Sequence, residues 1–341
     1  MQKKKSGLNH LFTETRLGWL LIFLIASYVG MGLIAYALKG NFKFFQPSTL
    51  QTMCCQIPEI GILAIAVMLP MITGGIDLSM VGKANLSGIV AAAFMTSMIT
   101  EETPEGTQHM YAIVAVLLAL AVGALAGLLN GLIISTFNTT PLIVTLGSNY
   151  VFMGIAVIIT RGQSITGLPK AFNALGQGFI GFLPAQFLIL IIVVLVAWFL
   201  ISKTSYGTKL FMMGANATAA GFSGINMKKM LCATYTISGV FSAIAGCILF
   251  GRSSQANADY GTTYTLQAIM IAVLGGTSPN GGEGNVLGVF FAMMTMQFLA
   301  TGLNFFQVTN VTYLKDIVWG AVLIIVMTIN HFQDLKHAKI A

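Results

Sequence analysis

Long apolar runs separated by short polar breaks organise the chain. A bilayer core about 30 Å thick needs about 20 mostly apolar residues per helix, and the runs divide at that length. Spans are expected over residues 17–38, 50–72, 78–99, two within the uncharged stretch 110–160, then 183–202, 230–250, 264–276, 286–303 and 311–330. The long stretch splits at Asn138-Thr139-Thr140-Pro141, a polar turn closed by proline. Glu59 and Pro70 interrupt the second run, Lys83 sits near the start of the third, the eighth is short, and Lys315 and Asp316 open the tenth. The pattern predicts an all-α, polytopic transmembrane helix bundle of about ten spans, with broken helices.

Two runs are broken by glycine in a similar way. One break is Thr73-Gly74-Gly75-Ile76-Asp77-Leu78-Ser79; the other is Leu274-Gly275-Gly276-Thr277-Ser278-Pro279-Asn280-Gly281-Gly282. Irregular backbone at membrane depth is tolerated where it packs on protein or lines a cavity, so paired breaks in two halves point to a transport path. Tight loops at the membrane edge are the other reading. Gly74, Gly75, Asp77, Ser79, Gly275 and Gly276 are the path candidates. Asp77 either borders the path or serves as a helix N-cap, accepting from the first amides of the third span. A weak two-fold repeat, pairing the second to fifth spans with the seventh to tenth, fits the two breaks. Gly123, Gly127 and Gly131 lie four apart, as do Ser238, Ser242 and Gly246. Small residues at this spacing let helix backbones approach closely.

Residues 203–229 are longer than a simple connection between two spans needs. Asn216 can cap a short helix there, Ala217, Ala219 and Ala220 favour it, and Gly221 or Gly224 can end it, with Ser223 between them. That helix has small faces and no charge, which suits a groove on a partner. A linker lying on lipid is the alternative, but its apolar face is weak for that.

Composition narrows the class. Hydrophobic residues make up 56% and charged residues only 8%, against about 25% charged in soluble domains. A soluble globular protein, a nucleic-acid binder and a disordered chain are all excluded. The net charge of +7, from 17 basic against 10 acidic residues, reflects topology. With the N-terminus cytoplasmic, 11 basic residues fall inside, Lys83 among them, and 6 outside, Arg252 among them. The acidic loop Glu101-Glu102-Thr103-Pro104-Glu105 then falls outside. No cleavable signal peptide is expected, because the first apolar run is too long for one. Cys54, Cys55, Cys232 and Cys247 form no metal or disulfide pattern and read as small buried hydrophobes.

Reactive chemistry is missing. His10, His109, His331 and His337 are terminal or in a loop, so no catalytic group and no metal site is expected. Gly82-Lys83-Ala84 lacks both the upstream glycine and the Ser/Thr of a phosphate-binding loop, and Gly282-Glu283-Gly284-Asn285-Val286-Leu287-Gly288 is one residue too long for a dinucleotide loop. If ATP is used, another chain must bind it. An ion-coupled secondary carrier for a small polar solute is the alternative; it needs an intramembrane carboxylate, and only Glu59, Asp77 and Asp316 qualify.

Four blocks carry a family resemblance: residues 72–79; Pro141-Leu142-Ile143-Val144-Thr145-Leu146-Gly147; Gly214-Ala215-Asn216 through Ser223-Gly224-Ile225, followed by Ser238-Gly239; and Leu274-Gly275-Gly276-Thr277 through Gly284. On these the chain resembles the permease subunits of bacterial ABC sugar importers of the ribose/galactose/xylose/autoinducer-2 type, over residues 17–330. Two positions depart from the family pattern. Met80-Val81-Gly82-Lys83 stands where relatives show Val-Gly-Ser, and Glu283 where they tend to a basic or small residue.

The resemblance implies a non-enzymatic permease in the bacterial inner membrane, passing a sugar or sugar-like molecule by alternating access. Its implied partners are a cytoplasmic ABC ATPase that holds ATP and Mg, a periplasmic sugar-binding protein, and a second permease chain, identical or paralogous. Lipid surrounds the bundle, and neither nucleic acid nor a cofactor of its own is expected. Tails 1–16 and 331–341 are expected in the cytoplasm, flanking a permease domain over 17–330. The segment 203–229 becomes the cytoplasmic coupling loop, with Asn216, Ala217, Ala219, Ala220, Gly221, Ser223 and Gly224 as the ATPase-coupling residues.

Overall fold

The computed structural model describes residues 16–100, 103–306, 314–315, 317–322, 324 and 328. The expected tails, Arg16 apart, and much of the expected tenth span lie outside the described residues.

Twelve α-helices are described: α1 Arg16–Lys39, α2 Pro47–Ile72, α3 Met80–Met98, α4 Glu105–Phe137, α5 Pro141–Thr160, α6 Lys170–Gln177, α7 Ala185–Lys203, α8 Ser205–Ala215, α9 Ala217–Phe222, α10 Met227–Ser253, α11 Tyr264–Leu274 and α12 Val286–Leu303. Two antiparallel pairs of two-residue strands clip loops together, β1 Ile165–Thr166 with β4 Gln255–Ala256 and β2 Phe179–Ile180 with β3 Leu183–Pro184.

Seven of these helices (α1, α2, α4, α5, α7, α10 and α12) are long and apolar enough to cross a membrane. Each occupies an expected span. The third span is α3, whose polar Lys83, Asn85 and Ser87 are all fully buried. The eighth is α11, with 11 residues; at about 1.5 Å per residue it covers roughly half a bilayer core. Punctuation explains the boundaries. Pro47 and Pro141 occupy first-turn positions, where a missing N–H costs nothing. Asn138 is left-handed at φ 48° and ends α4, so the polar turn at 138–141 separates α4 from α5 as expected.

The two innermost long helices are α2 and α10. Nearly every residue of α2 from Ile57 onward is buried, and α10 makes its broadest contact with α4. The glycines set that contact. A Cβ on Gly239 would collide with the Gly123 carbonyl, and one on Gly127 with the Tyr235 carbonyl. Gly246 faces the Ala84 backbone on α3 in the same way. Dispersion and packing, not a hydrophobic driving force, hold helices together in lipid, so close backbone approach is the main source of cohesion. On the periphery, α4, α5 and α7 turn Leu117, Leu125, Ile143, Ile158, Leu195 and Phe199 outward, as expected of helices that are apolar on all sides.

Candidate functional site

The two glycine breaks meet. At the end of α2, Gly74 adopts φ +82°, and in the loop between α11 and α12 Gly276, Gly281 and Gly282 adopt +90°, +89° and +77°. This left-handed backbone is open to glycine without steric cost. The Gly282 N–H donates to the Ile72 carbonyl at 2.9 Å. A Cβ on Gly281 would lie 2.8 Å from the Gly74 nitrogen and 2.9 Å from the Gly214 carbonyl. Gly214, near the end of α8, packs on the Ile72 carbonyl so closely that a Cβ would overlap it. Three chain segments therefore touch through bare backbone: the α2 terminus, the 275–285 loop and the α8 terminus. The sequence marked the two breaks but not their contact, nor the part Gly214 plays in it. Gly275 and Gly276 also border a cavity of about 390 Å³ with Leu17, Leu20, Phe211 and Asn285, and Gly275 presses on the Val289 backbone of α12.

Asp77 and Ser79 do not line that cavity. They belong to a buried polar cluster that pins the first break to four helices. Lys83 Nζ on α3 lies 2.5 Å from Asp77 Oδ2, both side chains being wholly inaccessible. Ser238 on α10 donates to the same oxygen at 3.0 Å. The other carboxylate oxygen accepts from the Ser79 amide at 2.9 Å and the Ser79 hydroxyl at 2.6 Å. Asn130 on α4 donates to Ser79 Oγ at 2.8 Å. Thr145 on α5 accepts from the Leu78 amide and donates to the Ile76 carbonyl, each at 3.1 Å. Beside the cluster, Gly75 leaves room for the Tyr235 hydroxyl, which a Cβ there would approach to 2.8 Å.

Two sequence expectations are corrected here. Asp77 is not the N-cap of α3, because Ser79 occupies that position and only the Ser79 amide, ahead of the helix, reaches the carboxylate. Lys83 is not a loop lysine that reports topology. One and a half turns after Asp77, it points inward as the carboxylate's counter-ion. Without it, the inside excess of basic residues is smaller but keeps its sign.

A second ion pair corrects the placement of Arg252. Glu59, one of the intramembrane carboxylate candidates, is buried in α2, and Arg252, taken as an outer loop residue, lies in the last turn of α10. The Arg252 guanidinium binds the Glu59 carboxylate with two nitrogens, Nη2 at 3.0 Å from Oε2. The Tyr264 hydroxyl lies 3.5 Å from the same oxygen. Nothing in the local sequence around either residue pairs them; they are 193 positions apart.

The segment 203–229 holds two helices where one was expected. Leu210 and Met213 bury one face of α8, and Tyr206 fixes it to α10 through Thr234, 2.9 Å away, while burial pushes its phenol up to about 12. The shorter α9 follows directly. Asn216 caps it, its Oδ1 accepting from the Ala219 amide at 2.9 Å. Ser223 is the C-cap, and Gly224, at φ +81°, turns the chain away. Gly221 lies inside the helix and does not end it. Asn216, Ala217, Ala219, Gly221, Ser223 and Gly224 are exposed. Ala220 is not; it packs into the main core of the bundle. Phe222, which the sequence reading passed over, is 90% exposed.

Among the described residues no three His, Cys, Asp or Glu side chains converge.

Residues 49–327 match the family of branched-chain amino acid transport system / permease components. The chain is 34% identical over 316 residues to the galactose/methyl galactoside import permease protein of Escherichia coli K12, covering 90% of this chain and 92% of that one. It is 32% identical over 323 residues to an autoinducer 2 import system permease protein of E. coli, covering 92% of each. It is 31% identical over 292 residues to the ribose import permease protein of Bacillus subtilis, covering 85% and 87%. No solved structure matches the chain.

Proposed function

The chain belongs to the family of permease components that includes the bacterial ABC sugar-import permeases, and from that premise we propose how it works. It is the membrane-spanning permease subunit of an ATP-driven importer for a sugar or sugar-like molecule, and the chemistry of ATP lies elsewhere. A cytoplasmic ATPase holds ATP and Mg, a periplasmic binding protein delivers the solute, and a second permease chain completes the path. The chain sits in the inner membrane with both tails, 1–16 and 331–341, in the cytoplasm around a permease domain over 17–330. On that orientation α8 and α9 lie on the cytoplasmic side, and α9 is the element that docks into the ATPase.

One observation carries the coupling. Two residues before the Asn216 cap, Gly214 touches both the Ile72 carbonyl and the Gly282 nitrogen. A push on α9 therefore reaches both helix breaks through backbone contacts, with no flexible side chain between. Packed elements of this kind switch between discrete arrangements instead of deforming smoothly. Nucleotide shifts the balance by binding those arrangements with different affinity.

The intramembrane carboxylates speak against an ion-coupled carrier. Asp77 and Glu59 each hold a cationic partner, Lys83 and Arg252, so both serve the packing of the bundle. Asp316 lies outside the described residues.

The test is uptake into proteoliposomes holding the permease, its ATPase and its binding protein, with labelled D-ribose and D-galactose. Saturable uptake that stops when the ATPase is made hydrolysis-dead is expected. Uptake that survives loss of the ATPase and disappears with Asp77→Asn would establish the carrier instead.

A further inference from the structure

We propose that the cavity bounded by α2, α11 and α12 is a subsite for a polyhydroxylated solute within this chain. The inference rests on the importer reading above and adds a place where the solute is held. None of the glycine-break candidates lines it.

The cavity measures about 390 Å³, within the range of roughly 300–1,000 Å³ for small-molecule sites. Its floor is apolar, with Met270, Met293 and Met296. Its walls mix apolar Ile57, Ile60, Ile271 and Ala300 with polar side chains. Thr263, Gln267 and Asn304 face it, and among the described residues their side chains make no hydrogen bond. Thr263 and Asn304 are exposed at the ends of α11 and α12, and Gln267 on α11 is half-buried. Each side-chain amide carries both donors and an acceptor, and so does each hydroxyl of a sugar. By contrast, the Gln56 and Gln297 amides already bind each other at 2.7 Å and form a fixed wall.

Tyr264 and Trp319 add aromatic surface, broad enough to take the C–H face of a sugar ring while their polar ends remain free to bond. The Arg252 guanidinium at the wall is held by Glu59 through two of its nitrogens. Lys315 contributes N–H donors from the opposite side. On the proposed orientation the Arg252 end of α10 and the start of α11 lie toward the periplasm, where a binding protein would release its cargo.

The assay is uptake of D-ribose and D-galactose by the complete complex in proteoliposomes, with basal ATP hydrolysis and yield of assembled complex measured in parallel. Ala300→Phe projects a ring into the cavity. Gln267→Leu keeps the bulk of the side chain and removes its hydrogen bonds; Gln267→Asn keeps the amide. The expected result is uptake at least ten-fold lower in Ala300→Phe, a KM at least ten-fold higher in Gln267→Leu, and a KM within three-fold of wild type in Gln267→Asn. Basal hydrolysis and yield stay unchanged. If Ala300→Phe fails to assemble, the Gln267 pair decides alone. KM values within two-fold of wild type for Gln267→Leu overturn the subsite. So does a loss of uptake matched by an equal loss of assembled complex across the Gln267 variants. A wild-type complex that takes up neither sugar overturns the polyhydroxylated class. Sugar uptake that needs no ATPase sinks the importer reading instead and leaves the KM comparison intact.

Discussion

Replacing Lys83 with methionine leaves the Asp77 carboxylate buried without its counter-ion. Wild-type Asp77 receives four contacts: Lys83 at 2.5 Å, Ser238 at 3.0 Å, and the Ser79 amide and hydroxyl at 2.9 and 2.6 Å. Only the first carries charge. Breaking one side of a buried pair costs about 3–5 kcal/mol, whereas replacing both sides with neutral groups is often close to neutral. Methionine matches the lysine stem in length and flexibility, so the cavity term is small. Lys83→Met should therefore lower stability by about 3 kcal/mol or more, roughly 100-fold in the folding constant. Asp77→Asn combined with Lys83→Met should recover most of that loss. The Asn carbonyl can still accept from the Ser79 amide, and no charge remains. Equilibrium unfolding of the purified protein in mixed micelles, followed by tryptophan fluorescence, measures both. The reasoning fails if the single and double variants are equally destabilised. It also fails if Lys83→Met lies within about 1 kcal/mol of wild type, since a pair that dispensable is not the counter-ion required of a buried charge.

Phe222, 90% exposed at the end of α9, is the one large side chain there able to fill a pocket, so Phe222→Ala should weaken co-purification with the ATPase by at least ten-fold, in line with about 2 kcal/mol for an aromatic anchor, while the permease still inserts. Ala220→Trp should act differently from changes on the exposed face: Ala220 is buried, so the variant should lower the permease's own thermal stability, measured by size-exclusion after heating. Gly214→Val should leave expression intact and uncouple ATP hydrolysis from uptake, because a side chain there forces apart the Ile72 and Gly282 backbones; coupled uptake at the wild-type rate would refute the junction. In a cysteine-free background of intact spheroplasts, Gly106→Cys, whose Cβ meets nothing within 4 Å, should react with an impermeant thiol reagent and Ala217→Cys should not; the reverse pattern would invert the topology.

The helix-by-helix layout follows from the sequence for a simple reason. In lipid every backbone group must be satisfied within its own segment, so a span is a local object whose ends are set by local punctuation. Apolar runs, Pro141 and Asn138 therefore placed α4 and α5, and Asn216 with Gly224 bounded α9 to within a residue. The GlyxxxGly rows were equally legible, because a bare stripe on a helix has no use other than close approach. Family blocks added the kind of machine, but not its geometry.

Charged residues were where reading along the chain went wrong. Lys83 and Arg252 were assigned to a span edge and an outer loop because a charge within a span is costly, Glu59 was left as a carboxylate within a span, and the sequence did not reveal that each has a partner. Those partners come from other helices: Glu59 finds Arg252 across 193 positions, and Asp77 gathers Ser238 from α10 as well as Lys83 from α3. The inward face of Ala220, the backbone contact of Gly214 with Ile72 and Gly282, and the free amides around the α2–α11–α12 cavity belong to the same class. Each depends on which helix faces which, a choice made by packing among spans that composition leaves nearly interchangeable. The sequence by itself determined the elements and their class; the tertiary structure alone decided which charges cancel, which backbones touch and which polar groups are left unpaired.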